Sequence, residues 1–136
     1  MSVIKSKRGE SSAEFVDNAR KLEIFTIQKC SKFPKRYRFS LSEKIINIAT
    51  DVYTNVATGN SIHISNFNEY ELRRNSFSAA RHSLQAMVGL IELSDEVFGI
   101  KANVMEEWMR MIDKELRLLQ GVIRSDKKRY EEHQDE

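Results

Sequence analysis

Residues 29–43, KCSKFPKRYRFSLSE, separate two segments that each have the apolar spacing of an α-helix. Pro34 is the only proline in the chain, and it disfavours helical backbone at the residue before it. The first helix is therefore predicted to end near Lys32. Ser40, with Glu43 three residues later, has the pattern of a capping box and predicts the start of a second helix. The stretch thus predicts a helix–break–helix unit.

Apolar residues recur at three- and four-residue intervals in four segments, and no segment alternates long enough to predict a strand. The first helix is predicted from a Ser11/Ser12 cap to about Lys32, and the second from Ser40 to a stop at Gly59-Asn60. The third is predicted over about 69–97, with Gly99 as the stop. The fourth is predicted from Asn103, with Glu106 in the capping-box position, to about Tyr130. The core stripes are Phe15, Ala19, Leu22, Thr26 and Cys30; Leu41, Ile45, Ile48, Val52 and Val56; Phe77, Ala80, Leu84, Met87 and Ile91; and Met105, Trp108, Ile112, Leu116, Leu119 and Ile123.

The chain of 136 residues is long enough for one domain with a substantial core. Four helices with short connections predict an all-α, antiparallel, up-down-up-down four-helix bundle over residues 11–130. Residues 1–10 are predicted to form a flexible basic arm, and residues 131–136 a polar tail.

The fourth helix has a wider apolar arc than a single core stripe requires. Val104, Met111 and Leu118 repeat at seven-residue steps beside the main stripe. This pattern predicts a subunit interface in an oligomer held by the first and fourth helices. The alternative is that the fourth helix contacts two neighbours within one chain.

The charges are distributed unevenly along the chain, although the formal net charge is only +2. Residues 1–44 hold 11 Lys and Arg against 5 Asp and Glu, whereas residues 45–136 hold 11 against 15. This asymmetry predicts a basic surface that attracts an anionic partner.

Two basic sets are the candidate nucleic-acid-binding residues, because cations contact phosphates and aromatic rings stack on unpaired bases. They are Lys29, Lys32, Lys35, Arg36, Tyr37 and Arg38 in the helix break, and Arg124, Lys127, Lys128 and Arg129 near the end of the fourth helix. Phe33 and Phe39 are predicted to pack on the bundle, with Phe39 as a hydrophobic staple, so that Tyr37 is the predicted base-stacking residue.

The sequence contains no pattern typical of a catalytic, cofactor or metal site, and we expect none. A di-metal bundle needs Glu-x-x-His pairs, but the residues three before His63, His82 and His133 are Asn60, Ala79 and Tyr130. The single cysteine, Cys30, is predicted to be a buried apolar residue in a reducing compartment. The start of the chain lacks an apolar secretion signal, and no apolar run reaches about 18 residues, so a cytoplasmic protein without a membrane partner is expected.

Several stretches resemble one bacterial four-helix-bundle family. FPKRYRFSLSEKI (33–45) and NVATG (55–59) are similar to its helix break and second helix. The similarity continues through ELRRNSFSAARHSLQAMVGLIELSDEVFGI (71–100) and LRLLQGVIRSDKKRY (116–130), and so spans nearly the whole chain. The family includes proteins encoded in intervening sequences of ribosomal RNA genes, and the accessory variability determinant (Avd) proteins of diversity-generating retroelements. SKRGES and SDKKRY are more similar to the Avd branch.

The resemblance implies a homopentameric barrel that binds the retroelement's reverse transcriptase and its template RNA. Such a protein supports mutagenic cDNA synthesis without catalysing it. Lys35, Arg36 and Arg38 match the basic surface of the family. Two alternatives stay open: a protein of the ribosomal intervening-sequence type, and an oligomeric scaffold that binds only protein.

Overall fold

The computed structural model describes the backbone of residues 14–134 and the side chains through residue 132. The predicted Ser11/Ser12 cap and the basic arm at residues 1–10 lie outside this range. Within it the chain is all-helical, as predicted, with four α-helices and no strand. The helices are α1 (Glu14–Cys30), α2 (Glu43–Ser61), α3 (Phe67–Phe98) and α4 (Ala102–Gln134).

The break between α1 and α2 is built from two tight helical turns. Pro34 precedes a 3₁₀ turn at Lys35–Tyr37, and a π-helical turn at Arg38–Ser42 leads directly into α2. The predicted capping box is wrong, because Ser40 lies inside the π turn and the cap residue Ser42 makes no side-chain hydrogen bond. The Glu43 N–H donates instead to the carbonyl of Arg38, so backbone groups of the preceding turn replace the cap.

The ends of α3 and α4 follow the prediction in part. Gly99 ends α3 with φ at +83°, a left-handed conformation that glycine adopts without steric cost. Asn103 lies within the first turn of α4, and the N–H groups of Val104 and Met105 both donate to the Lys101 carbonyl. The predicted Asn103–Glu106 capping box is therefore wrong, and α4 continues past the predicted end at Tyr130 into the expected polar tail.

The four predicted stripes supply most of the core. All members of the first and third stripes are buried, as are Leu41, Ile45, Val52 and Val56 of the second. Ile48 is half-buried, and its neighbour Ala49 is buried in its place. In α4, Trp108, Ile112 and Leu119 are buried, while Met105, Leu116 and Ile123 are half-buried and pack against the core.

Aromatic contacts join the α1–α2 connection to the other helices. The ring of Phe33 lies 4.7 Å from that of Phe98, at the end of α3, and 6.2 Å from that of Trp108, in the first turns of α4. The end of α1, the end of α3 and the start of α4 therefore meet. Edge-to-face contacts of this kind add stability beyond the burial of apolar area.

Two polar links cross the core between α1 and α4. Trp108 Nε1 donates to Thr26 Oγ1 at 3.0 Å, and Asn18 Nδ2 donates to Glu115 Oε1 at 2.9 Å. Glu115 is fully buried, and this burial raises the pKa of its carboxyl to about 8. The sequence interpretation missed Asn18 and Glu115.

Candidate nucleic-acid interface

The first basic set occupies the α1–α2 connection. Lys29 lies in the last turn of α1, and Lys32 follows the helix. Lys35 and Arg36 lie in the 3₁₀ turn, and Arg38 begins the π turn. Lys29 is half-buried, with its Nζ 5.2 Å from the centre of the Phe25 ring. The other four side chains are exposed. The tight turns thus project a row of cations from one end of the helical assembly.

This positive charge is almost uncompensated by neighbouring carboxylates. Among the described side chains, no carboxylate lies within 4.0 Å of Lys29, Lys32, Lys35 or Arg36. Arg38 Nε is 3.9 Å from Glu43 Oε1, and both side chains are largely exposed. Exposed pairs of this kind contribute about 0–1 kcal/mol, so Arg38 can exchange its partner for a phosphate at little cost.

Two aromatic residues of the connection lie differently from the prediction. Tyr37 stacks on Phe98, with ring centres 5.4 Å apart and planes 19° apart, and the Arg36 guanidinium lies 5.2 Å from the Tyr37 ring centre. The predicted base-stacking residue therefore packs on the protein. Phe39, predicted to pack, is 72% exposed, and the Arg38 guanidinium lies 5.6 Å from its ring centre. Phe39 is part of the π turn, and the predicted capping box that would have placed it on α2 does not form.

A cleft of about 420 Å³ opens beside this connection. It lies between the α1–α2 connection and the α3–α4 connection at residues 99–101. Its lining consists of Lys29, Lys32, Phe33, Pro34, Phe98, Gly99, Ile100, Lys101, Asn103 and Val104. Lys101 was missed at the sequence level, because only the folded chain brings it beside the first basic set.

The second basic set lies on α4 near its end. Arg124, Lys127, Lys128 and Arg129 are all exposed. Arg129 pairs with the buried Asp126, which also pairs with Arg73 near the start of α3. The first set adjoins the end of α3, through the stacking of Tyr37 on Phe98. The 32 residues of α3 make a helix roughly 48 Å long, and most of that length separates the two basic sets within one chain.

An aromatic cluster that the sequence interpretation did not identify accompanies the second set. Tyr70 stacks on Tyr130, with ring centres 4.4 Å apart, and Phe67 lies 6.1 Å from Tyr130. Phe67 is 60% exposed. The exposed Phe67 gives the second end of the molecule an aromatic surface next to cations, as Phe39 does at the first end.

The predicted interface residues Val104, Met111 and Leu118 are partly covered by the core of the same chain. All three are half-buried and pack against the core, and the Met111 carbonyl accepts a hydrogen bond from Asn18 Nδ2 of α1. Packing against the core of the same chain thus accounts for part of the wide apolar arc. A role of these residues in an oligomer stays a prediction.

Three further observations concern the described part of the chain. No three or more His, Cys, Asp and Glu side chains there come together in an arrangement that could hold a metal ion. None of the helices in residues 14–134 has the length and apolarity that crossing a bilayer requires. Comparisons of the chain with models of known protein families, with curated proteins and with solved structures found no match.

Proposed function

We propose that this protein is a non-enzymatic nucleic-acid-binding protein that contacts its ligand through the α1–α2 connection. The observation that carries the proposal is the group of five cations there, four of them without a carboxylate within 4.0 Å, next to the exposed Phe39. When Lys and Arg side chains bind phosphates, counterions condensed on the nucleic acid are released, which favours binding. Exposed aromatic rings stack on unpaired bases. The connection supplies both kinds of group on adjacent residues.

The biological partner belongs to the same proposal. The resemblance to the Avd branch supports an accessory protein that binds a retroelement reverse transcriptase and its template RNA. A protein of the ribosomal intervening-sequence type, from the other branch of the same family, is the alternative. Purification of the reverse transcriptase with the tagged protein, and loss of cDNA when the protein is omitted, would support the first role over the second.

An antiparallel bundle that assembles into a homo-oligomeric ring is the proposed architecture. Two contacts within one chain support the antiparallel arrangement. Phe33, just after α1, contacts Phe98 at the end of α3. Gly59, near the end of α2, contacts Phe77 in the first half of α3. The support for a ring, with five subunits as the expected number, is the family resemblance alone. Light scattering that shows a monomer at tens of micromolar would contradict the ring.

The nucleic-acid proposal is tested by removing charge from the connection. The test uses a triple variant, Lys35→Gln, Arg36→Gln, Arg38→Gln. For a single strand, the slope of log affinity against log salt should become shallower by about 2, because three phosphate contacts are lost. The matched control is Arg110→Gln, Lys114→Gln, Arg117→Gln on α4, which removes equal charge from side chains that already pair with carboxylates. The control should keep the wild-type slope.

Two results would contradict the proposal. If the connection triple and the α4 triple have equal salt slopes, the connection is not the binding surface. If the wild-type protein shifts neither RNA nor DNA at about 50 mM salt, where phosphate contacts are strong, a protein-only scaffold is favoured.

A further inference from the structure

We infer that the cleft between the α1–α2 and α3–α4 connections holds one unpaired nucleotide of the bound strand, so that the protein prefers single-stranded to duplex nucleic acid. This inference rests on the proposed function. It adds a defined subsite, Lys101 as a phosphate-binding residue, and a choice between two physical forms of the ligand.

The charge at the cleft favours an anionic ligand. Three of its lining residues, Lys29, Lys32 and Lys101, are lysines, and none is a carboxylic acid. Asp95, near the end of α3, accepts a hydrogen bond from the Ile100 N–H at 2.8 Å and does not line the cleft. Three ammonium groups around one opening attract a phosphate.

The apolar part of the lining indicates more than a phosphate. Phe33, Pro34, Phe98, Ile100 and Val104 line the same cleft, and each is half-buried. An inorganic anion is not stabilised by such a surface, whereas the flat apolar faces of a nucleobase are stabilised by packing on it. The cleft volume of about 420 Å³ lies within the usual range for small-ligand sites, so it can take a base as well as its phosphate.

A nucleotide in this cleft must be unpaired. A base in a duplex is stacked on both faces, and extruding it costs a few kcal/mol, whereas a single strand presents its bases without that cost. Lys29 and Lys32 belong both to the cleft and to the first basic set. A strand with one nucleotide in the cleft is therefore continuous with the phosphates that the connection binds.

The charge arm of the test compares Lys101→Gln with Lys44→Gln. Both lysines are exposed, but only Lys101 lines the cleft, whereas Lys44 lies in the first turn of α2. Binding is measured by anisotropy with a labelled uridine strand of roughly 12 nucleotides, at several salt concentrations. Lys101→Gln should lower the salt slope by about 0.7, the loss of one phosphate contact to a single strand, and Lys44→Gln should leave it unchanged.

The steric arm compares Asn103→Trp with Ala102→Trp. Both residues are exposed in the first turn of α4, and only Asn103 lines the cleft, so its replacement fills the cleft without changing charge. Asn103→Trp should weaken single-strand binding at least about fivefold, the lower end of the effect of one stacked base, and leave duplex binding unchanged. Ala102→Trp should change neither. Thermal unfolding of both variants identifies any loss of fold.

The outcomes separate the two proposals. Wild-type protein that binds a single strand and a duplex of equal length with equal affinity overturns the cleft inference. So does an Asn103→Trp variant that unfolds like Ala102→Trp and binds equally well. The proposed function survives both results if the salt slope of the connection triple is still smaller in magnitude than that of the wild type. Absence of all binding by the wild-type chain overturns the proposed function and the inference with it.

Discussion

Arg73 and Asp126 form a buried ion pair, with Arg73 Nε 2.7 Å from Asp126 Oδ2, although 53 residues separate them in the sequence. The side chains are 13% and 4% exposed. Arg73 Nη1 also donates to the carbonyls of Gly59 and Ile62, so one guanidinium joins the end of α2, the start of α3 and the end of α4. The second basic set on α4 is thereby fixed to the other helices.

Asp126→Asn should lower the free energy of unfolding by about 3–5 kcal/mol, because it leaves the buried Arg73 without its counter-charge. Arg129, the other partner of Asp126, is 66% exposed, and Arg129→Gln should cost less than about 1 kcal/mol. Urea denaturation of both variants measures the difference. Equal small losses in the two variants would show that the Arg73–Asp126 pair does not hold the helix ends together.

Glu115 should make the stability of the protein fall as the pH rises. Its pKa in the folded chain is about 8, above the ordinary value of 4.5, because burial disfavours the carboxylate. The folded state therefore binds this proton more tightly than the unfolded state. The Glu115 contribution to stability is fully present below about pH 4.5 and is lost as the pH rises through about 8, with a slope of at most about 1.4 kcal/mol per pH unit.

Glu115→Gln removes the titrating group and keeps an oxygen that can accept from Asn18. The variant should lose stability less steeply than the wild type between about pH 5 and pH 8, as measured by denaturation at each pH. Glu106→Gln, at an exposed position of the same helix, is the control and should keep the wild-type profile. Parallel profiles for Glu115→Gln and the wild type would show that the carboxyl is not buried in solution.

Gly59 and Gly89 should respond in opposite directions to replacement by alanine. A Cβ at Gly59 would lie 2.5 Å from Cε1 of the buried Phe77, whereas nothing lies within 4 Å of one at Gly89. Gly59→Ala should therefore destabilise the fold by about 1–3 kcal/mol through overpacking, although alanine favours helix. Gly89→Ala, on the exposed side of α3, should stabilise it by about 0.5–1 kcal/mol. Thermal unfolding of the two variants measures both signs, and a stabilised Gly59→Ala would contradict the close packing.

The apolar stripes could be predicted because burial of one helix face imposes a period near 3.6 residues on the sequence. The period does not decide between adjacent positions. In α4 a step of three or four residues from Ile112 leads to Glu115 or to Leu116. Hydrophobicity predicts that Leu116 is buried, but the structure buries Glu115. In α2 hydrophobicity likewise selects Ile48 over Ala49.

The candidate site was less predictable, because it depends on turn geometry and on contacts distant in the sequence. The cations of the α1–α2 connection are predictable because they cluster within ten residues of the sequence. The directions of Tyr37 and Phe39 depend on the 3₁₀ and π turns, which hydrophobic periodicity does not specify. Lys101 joins the cleft only because the ends of α1 and α3 meet.

Phe39 and Tyr37 should differ in what their loss affects. Phe39→Ala removes a ring that is 72% exposed, so stability should change by less than about 0.5 kcal/mol, while affinity for a single strand falls about fivefold or more. Tyr37→Ala removes the ring stacked on Phe98, so it should lower the free energy of unfolding by more than about 1 kcal/mol. Because the cations remain, its salt slope should stay at the wild-type value.

The two measurements are denaturation and anisotropy against salt, carried out on both variants under the same conditions. Binding is compared at a temperature where the Tyr37→Ala variant is still folded. If Tyr37→Ala loses single-strand affinity while Phe39→Ala keeps it, the ring of Tyr37 leaves Phe98 to stack on a base, and the original sequence prediction is correct. If neither variant loses affinity, binding at the connection is purely electrostatic, because both rings are then dispensable.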